Sequence, residues 1–155
     1  TQAPLAAELL SHAKVDAICY GCTGSGFLKT PAADRQLAAD LEANTGIPSL
    51  TTSAAVADAL RALGAKRISV ASPYEPWLNE KLRIYLKAAG FDILALQGLG
   101  TQAHSSISTD RVKALAAEVV RPETEAIFIS CSNFRTLDII ESVEQSLGKP
   151  VVTSN

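Results

Sequence analysis

Two hydropathy patterns alternate along the chain. Short runs rich in β-branched and aliphatic residues fall at 15–21, 49–52, 67–71, 91–96, 126–130 and 151–153. Between them lie longer, amphipathic, Ala/Leu-rich stretches, near 3–13, 32–45, 53–63, 76–89, 109–120 and 133–147. The first pattern predicts strands and the second helices. Ala126-Ile127-Phe128-Ile129 presents no polar face to water, as a strand covered by helices on both sides requires. Gly46, Gly64, Gly90 and Gly148 each follow a helical stretch, where a left-handed cap favours glycine. Strict alternation of the two patterns predicts an α/β fold with parallel sheets, flanking helices and right-handed crossovers.

The pattern also repeats. Asp16-Ala17-Ile18-Cys19-Tyr20-Gly21-Cys22-Thr23 reads against Glu125-Ala126-Ile127-Phe128-Ile129-Ser130-Cys131-Ser132 at an offset of 109. Leu41-Glu42, Gly46-Ile47-Pro48 and Thr51 read against Val143-Glu144, Gly148-Lys149-Pro150 and Thr153 at an offset of 102. Each copy is a strand, Cys-Thr/Ser, a helix, Gly-x-Pro, a short strand and a polar triplet. Coincident Cys, Gly, Pro and Thr favour duplication over the general likeness of α/β units. The second copy is preceded by a further strand, helix and strand at 65–99, which the first copy lacks. The expected organisation is the C-terminal part of a first lobe at 1–64 and a second lobe, lacking its last helix, at 65–155. The chain then reads as the interior of a longer protein, with at least roughly 50 further residues if the halves are equal. The absence of Met agrees with that expectation.

The repeat places a thiol at equivalent positions. Cys22 and Cys131 each close a strand and open the loop to a predicted helix. Ligands of parallel sheets bind outside the carboxyl ends of the strands. A helix N-terminus there carries unpaired N–H groups and partial positive charge, which favours thiolate and lowers a cysteine pKa. Thr23-Gly24-Ser25-Gly26 and Ser132-Asn133 add hydroxyls, an amide and open backbone N–H groups suited to an anion. Twin lobes carrying one cysteine each would set the thiols on opposite sides of a substrate. One could then attack carbon or take a proton while the other donates one. That chemistry suits racemisation or isomerisation beside a carboxylate and needs no metal and no cofactor.

Composition removes several alternatives. With 14 basic and 16 acidic residues the net charge is −2, so the cationic footprint of a nucleic-acid or anionic-membrane binder is missing. No apolar run approaches the roughly 18 residues of a membrane span. Three cysteines are an odd number and too few for a disulfide scaffold, which predicts free thiols and a cytoplasmic setting. Three Cys and two His lack zinc-ligand spacing, so no metal is expected. Cys19-x-x-Cys22 has redox spacing, but Cys19 falls inside a strand and reads as a packed core thiol. Gly24-x-Gly26 and Gly98-x-Gly100 are too short for a dinucleotide fingerprint.

Tyr20-Gly21-Cys22-Thr23-Gly24-Ser25, Ser72-Pro73-Tyr74, Ser130-Cys131-Ser132-Asn133-Phe134-Arg135-Thr136 and Gly148-Lys149-Pro150-Val151-Val152-Thr153-Ser154-Asn155 resemble the Asp/Glu racemase superfamily. The resemblance spans the chain and is closest to the maleate cis–trans isomerase branch, with arylmalonate decarboxylase and the ectoine-utilisation protein A group beside it. It implies two pseudo-symmetric lobes with parallel four-stranded sheets, the first truncated here, and catalysis without cofactors. It implies Cys22 as the nucleophile that adds to the maleate double bond and Cys131 as the acid/base. Tyr74 matches a tyrosine that hydrogen-bonds a substrate carboxylate, and Thr23 and Ser132 match positions near the carboxylate-binding loops. Ser25 and Asn133 join them as candidate substrate contacts. The decarboxylase branch keeps only the second-lobe cysteine, so Cys22 argues against a dedicated decarboxylase.

Racemisation of an amino acid or related acid, arylmalonate-type decarboxylation and non-catalytic carboxylate binding are the rival expectations. The partners expected are a small carboxylate and further copies of the chain as a homo-oligomer, with no nucleic acid and no membrane. Gln102 and His104, in the loop after the strand ending near Gln97, are weaker candidates for a ligand contact. His12 reads as a helix-end residue. Trp77 and Tyr85 read as packing residues on the 76–89 helix. Arg135 suits either anion steering or an exposed helix face. Thr51-Thr52-Ser53 and Thr153-Ser154-Asn155 read as caps or as ligand contacts.

Overall fold

The computed structural model describes residues 2–155. In chain order its elements are α1 (Ala3–Ser11), β1 (Ile18–Tyr20), α2 (Thr23–Gly26), α3 (Pro31–Thr45), β2 (Ser49–Thr51), α4 (Thr52–Ala62), β3 (Arg67–Ser72), α5 (Pro76–Ala88), β4 (Asp92–Gly98), α6 (Thr109–Val119), β5 (Ala126–Ile129), α7 (Ile140–Leu147) and β6 (Val151–Thr153). Single 3-10 turns lie at His104–Ser106 and Leu137–Ile139. Local chemistry sets several of the boundaries. The Thr30, Thr51 and Ser108 hydroxyls accept the N–H groups of Ala33, Ala54 and Arg111 and so start α3, α4 and α6. Pro31 occupies the first turn of α3, where its missing N–H does no harm.

All pairings are parallel. β1 pairs with β2, and a four-stranded sheet runs in the order β4-β3-β5-β6. β5 is buried on both faces, as its run of Ala, Ile, Phe and Ile predicted. Ile68, Val70, Ile127 and Phe128 of the central strands pack with Leu82 and Leu86 of α5 and Val112 and Leu115 of α6. Each such large side chain contributes about 1.5–3 kcal/mol by leaving water. A smaller cluster joins Ala7, Ile18 and Leu41 beneath β1 and α3.

The sequence repeat is reproduced bond for bond. Ile18 aligns with Ser49 across β1 and β2, and Ile127 aligns with Val151 across β5 and β6. Those pairs are related by the same offsets of 109 and 102 read from the sequence. The Ile18 N–H donates to Pro48 O at 2.9 Å, and the Ile127 N–H donates to Pro150 O at 2.9 Å. Gly46 and Gly148 close the preceding helices at φ of 70° and 62°. Glu42 and Glu144 each accept from the backbone N–H at the start of the next strand, Ser49 and Val151. Glycine is required at each cap because other residues are strained at positive φ.

Two expectations need correction. The helix predicted at 133–147 begins at Ile140, preceded by the 3-10 turn at Leu137–Ile139. Residues 132–136 form a loop because their polar groups bond elsewhere. Asn155 Nδ2 donates to Ser132 O at 2.8 Å, and the Asn155 side chain pairs with the Thr136 hydroxyl. Cys19 is exposed and not a core thiol. It lies on the β1 face that borders a groove lined by Leu50, Thr52 and Val152, with Sγ 3.8 Å from Thr52 Oγ1.

At the amino ends of the central strands, Glu125 Oε2 accepts from the Lys66 and Arg67 N–H groups at 2.7 and 2.9 Å. Its Oε1 accepts from the Arg67 guanidinium at 2.8 and 3.0 Å. The backbone donors, Arg67 first, and the guanidinium hold this carboxyl down to about 2 from its ordinary 4.5. A depressed carboxyl pKa stabilises the fold fully above the unfolded value and loses that effect as the pH falls through the folded one. Glu125→Gln should therefore lower the urea midpoint at pH 7. The difference from wild type should shrink between pH 4.5 and about 2, and a midpoint difference constant over that range would show that the charge does not matter.

Candidate active site

Both cysteine-bearing loops leave the carboxyl ends of their strands. Cys22 follows β1 by two residues and sits just before the single turn of α2, with extended backbone at φ −111°. Ser25 Oγ ties this turn together, donating to Cys22 O at 3.0 Å and within 3.1 Å of the Tyr20 hydroxyl. α2 lies hard against α4. A Cβ on Gly26 would stand 1.8 Å from Ser53 Oγ and 2.7 Å from Ser53 Cβ, so only glycine permits the approach.

Cys131 follows β5 with φ of 102°, a backbone state that non-glycine residues rarely adopt. The surroundings hold it there. Its N–H donates to Ser154 Oγ at 3.1 Å, and its carbonyl accepts the Phe134 N–H at 3.0 Å. The Ser130 N–H donates to Ala71 O at 2.8 Å, fixing the preceding residue to β3. The triplets after β2 and β6 are thus supports. Thr51 caps α4 and donates to the buried Asp34 carboxylate, while Ser154 and Asn155 brace the Cys131 loop.

The two loops meet. Ser132 Oγ donates to Gly21 O at 3.2 Å, and the loops bound one cleft of about 320 Å³. Cys22, Thr23 and Ser25 line it from one side, Cys131, Ser132 and Asn133 from the other, and Tyr74 from the turn after β3. The structure therefore brings together the two predicted cysteines and the five predicted substrate contacts, Thr23, Ser25, Tyr74, Ser132 and Asn133. It adds an apolar wall of Leu28, Trp77 and Leu78, and it adds His104. Trp77 is 60% exposed and forms this wall instead of packing in the core, whereas Tyr85 is buried as predicted. Helical periodicity could not show that Trp77 leaves the core side at the first turn of α5. His104 carried only a weak signal, as one of several polar residues in a loop. Its Nδ1 lies 3.5 Å from Cys131 Sγ, and its ring stands edge-on to Tyr74 at 5.9 Å. Gln102 and Arg135 do not line the cleft, and His12 ends α1.

Burial governs the electrostatics here. Cys131 is 6% exposed, and burial pushes its thiol pKa up. The N–H groups of Asn133 and Phe134 and the Tyr74 hydroxyl pull the other way without overcoming it. This corrects the expectation of a helix-lowered pKa, since a loop and not a helix follows Cys131. Tyr74 is pushed up by burial as well and stays a neutral phenol. Ser130 Oγ donates to the Tyr74 hydroxyl at 3.2 Å, which leaves the phenolic proton free for an acceptor. Thr23 is also buried, and its hydroxyl has no partner among the described residues.

Among the described residues, no Lys, Arg, Asp or Glu lines the cleft, and no group of three metal-ligating side chains occurs anywhere. Among the described residues, no helix is long and apolar enough to cross a membrane. A larger groove of about 560 Å³ lies beside β2. Its Arg35 and Asp58 already pair with each other, and no cysteine is among its described lining residues, so the smaller cleft is the candidate site.

A family model for arylmalonate decarboxylase matches residues 2–155. The chain is 33% identical over 138 residues to an arylmalonate decarboxylase of Bordetella bronchiseptica, covering 86% of this chain and 58% of that protein. It is 30% identical over 158 residues to a maleate isomerase of Nocardia farcinica, covering 98% and 61%. A crystal structure of arylmalonate decarboxylase matches with a TM-score of 0.89 at 28% identity, over 98% of this chain and 67% of that one. The maleate isomerase of Pseudomonas putida S16 with maleate matches with a TM-score of 0.94 at 26% identity, over 99% and 65%. The chain spans about three fifths of the length of these curated relatives.

The backbone at Cys131 makes a measurable demand. Strain at a non-glycine residue held at such φ costs on the order of 1–3 kcal/mol. Cys131→Gly should therefore be more stable in urea than Cys131→Ala by about 1 kcal/mol, since both lack the thiol and only glycine relieves the strain. Equal stabilities would mean the conformation is unstrained.

Proposed function

The chain belongs to the arylmalonate decarboxylase family, and on that premise we propose that it carries the catalytic centre of a cofactor-independent isomerase that converts maleate to fumarate. The observation that supports this reading above others is the pair of thiols at equivalent positions of a repeated unit, bordering one cleft.

Cys22 is the nucleophile. It lies in the open turn after β1 and is exposed, so a substrate reaches it. Its thiolate adds to one olefinic carbon of maleate, forming a C–S bond, while the Cys131 S–H delivers its proton to the neighbouring carbon. Burial suits Cys131 to this task, because a raised pKa favours the protonated sulfur that can donate to carbon. The former double bond is now single and rotates. The Cys131 thiolate then removes a proton from the carbon it protonated. The electron pair re-forms the double bond and expels the Cys22 thiolate, giving fumarate with both sulfurs restored.

Substrate carboxylates are held by neutral donors. The Tyr74 phenol has its proton free, and the unpartnered Thr23 hydroxyl gains a partner when an oxygen arrives. The Asn133 amide and backbone N–H complete the set, while the Ser25 and Ser132 hydroxyls, which donate to Cys22 O and Gly21 O, border the substrate and hold the two loops. Fixed dipoles aimed at an anion stabilise it without reorganising at the moment of reaction.

A second reading rests on the apolar wall. Leu28, Trp77 and Leu78 suit an aryl or alkyl substituent that maleate lacks. The same two thiols would then racemise an α-substituted acid, one removing the Cα proton and the other returning one to the opposite face.

Cys22→Ser in the full-length protein should abolish conversion of maleate to fumarate, followed by proton NMR. Cys131→Ser should slow it by about 10²–10⁴-fold. Unchanged turnover in Cys22→Ser would sink the addition mechanism. Deuterium uptake at Cα of a 2-aryl acid, without any maleate turnover, would select the racemase reading.

A further inference from the structure

Cys131 is asked to give up and regain a proton, yet it is 6% exposed, so bulk water hardly reaches it. His104 lies within reach of it, with Nδ1 3.5 Å from the sulfur. His104 sits in the 3-10 turn between β4 and α6 and is partly exposed. One ring nitrogen thus faces the thiol while the ring as a whole borders solvent. Tyr74 steadies the imidazole by an edge-on contact at 5.9 Å between ring centres. His104 is also, among the described residues lining the cleft, the one side chain that can become a cation.

We propose that His104 is the proton-exchange partner of Cys131. Its Nδ1 accepts the S–H proton, leaving a thiolate beside an imidazolium, and returns the same proton to sulfur. No other bond changes, and the pair keeps its total charge. The imidazolium in turn exchanges its proton with water, which links the buried sulfur to solvent. This rests on the reading of Cys131 as the acid/base. It extends that reading by naming the route through which the buried thiol exchanges its proton with solvent between turnovers.

The groups that face the pair are few. Tyr74, from the turn after β3, stays neutral. Cys22, from the turn after β1, raises the Cys131 pKa when charged. Asn133 and Phe134, after β5, contribute only N–H groups. Trp77 and Leu78 of α5 do not titrate. A pH response of Cys131 that His104→Gln abolishes therefore belongs to the imidazole.

The test measures the rate at which iodoacetamide alkylates Cys131 between pH 5 and 10, read by mass spectrometry on the peptide that carries it. This readout needs no turnover. Wild type should show a step in rate below the rise that the thiol itself sets. His104→Gln keeps a polar side chain of similar reach but cannot titrate. It should lose that step and react about tenfold more slowly at pH 7, the equivalent of one pKa unit. His104→Asn should behave as His104→Gln does. Superimposable profiles of variant and wild type overturn the proposal, and so does an equal slowing at every pH, which would mean the imidazole only shapes the site. A protein that shows the His104-dependent step but converts no maleate supports the pair and overturns the isomerase reading. One that converts maleate with a profile insensitive to His104 does the reverse.

Discussion

Parallel pairing sends the carboxyl ends of the strands of each sheet to one edge, and this constraint organises the rest of the molecule. β1 and β5 occupy equivalent places in two copies of the same unit, each paired with the strand that follows its Gly-x-Pro turn. Their outgoing loops consequently emerge beside each other. The Ser132 to Gly21 hydrogen bond records how closely they approach. Two thiols come to share a cleft because the strands beneath them are fixed at their buried ends, where Ile18 and Ile127 make the same bond to the same kind of proline carbonyl.

The two cysteines are equivalent in sequence and unequal in environment. Cys22 lies in an open turn with extended backbone, whereas Cys131 is buried, held at positive φ and enclosed by Tyr74, His104 and two N–H groups. The difference comes from what packs on each loop. The β6 end, through Ser154 and Asn155, clamps the second loop from outside. Gly26 lets α2 settle directly on α4, so the first loop tightens into a helical turn. An exposed thiol facing a buried one is an asymmetry that addition to one carbon and proton delivery to its neighbour can use.

The cleft has no lysine or arginine among its described lining residues. Anion binding there would fall to neutral donors aimed inward, which hold a carboxylate without neutralising a developing carbanion completely. The apolar side formed by Leu28, Trp77 and Leu78 lowers the local dielectric and strengthens those donors.

The alternation of patterns, the repeat and its offsets determined the parallel α/β fold, and the structure added which strands pair. They also determined the equivalence of Cys22 and Cys131, because strand burial, helix caps and strand-end position are encoded within each segment. Where several segments compete for the same polar groups, local pattern ran out. Residues 132–136 have helical composition, yet Asn155 takes their carbonyl and hydroxyl partners from across the sheet. Cys19 alternates as a core residue should, but the face it lies on is a groove. The Cys131 pKa follows burial, which the helix argument could not weigh. His104 stands 27 residues before the sulfur it touches, and only the packing of the β4–α6 loop over the carboxyl edge brought them together. A short-range signal specifies elements, but a contact between loops depends on the fold that carries both.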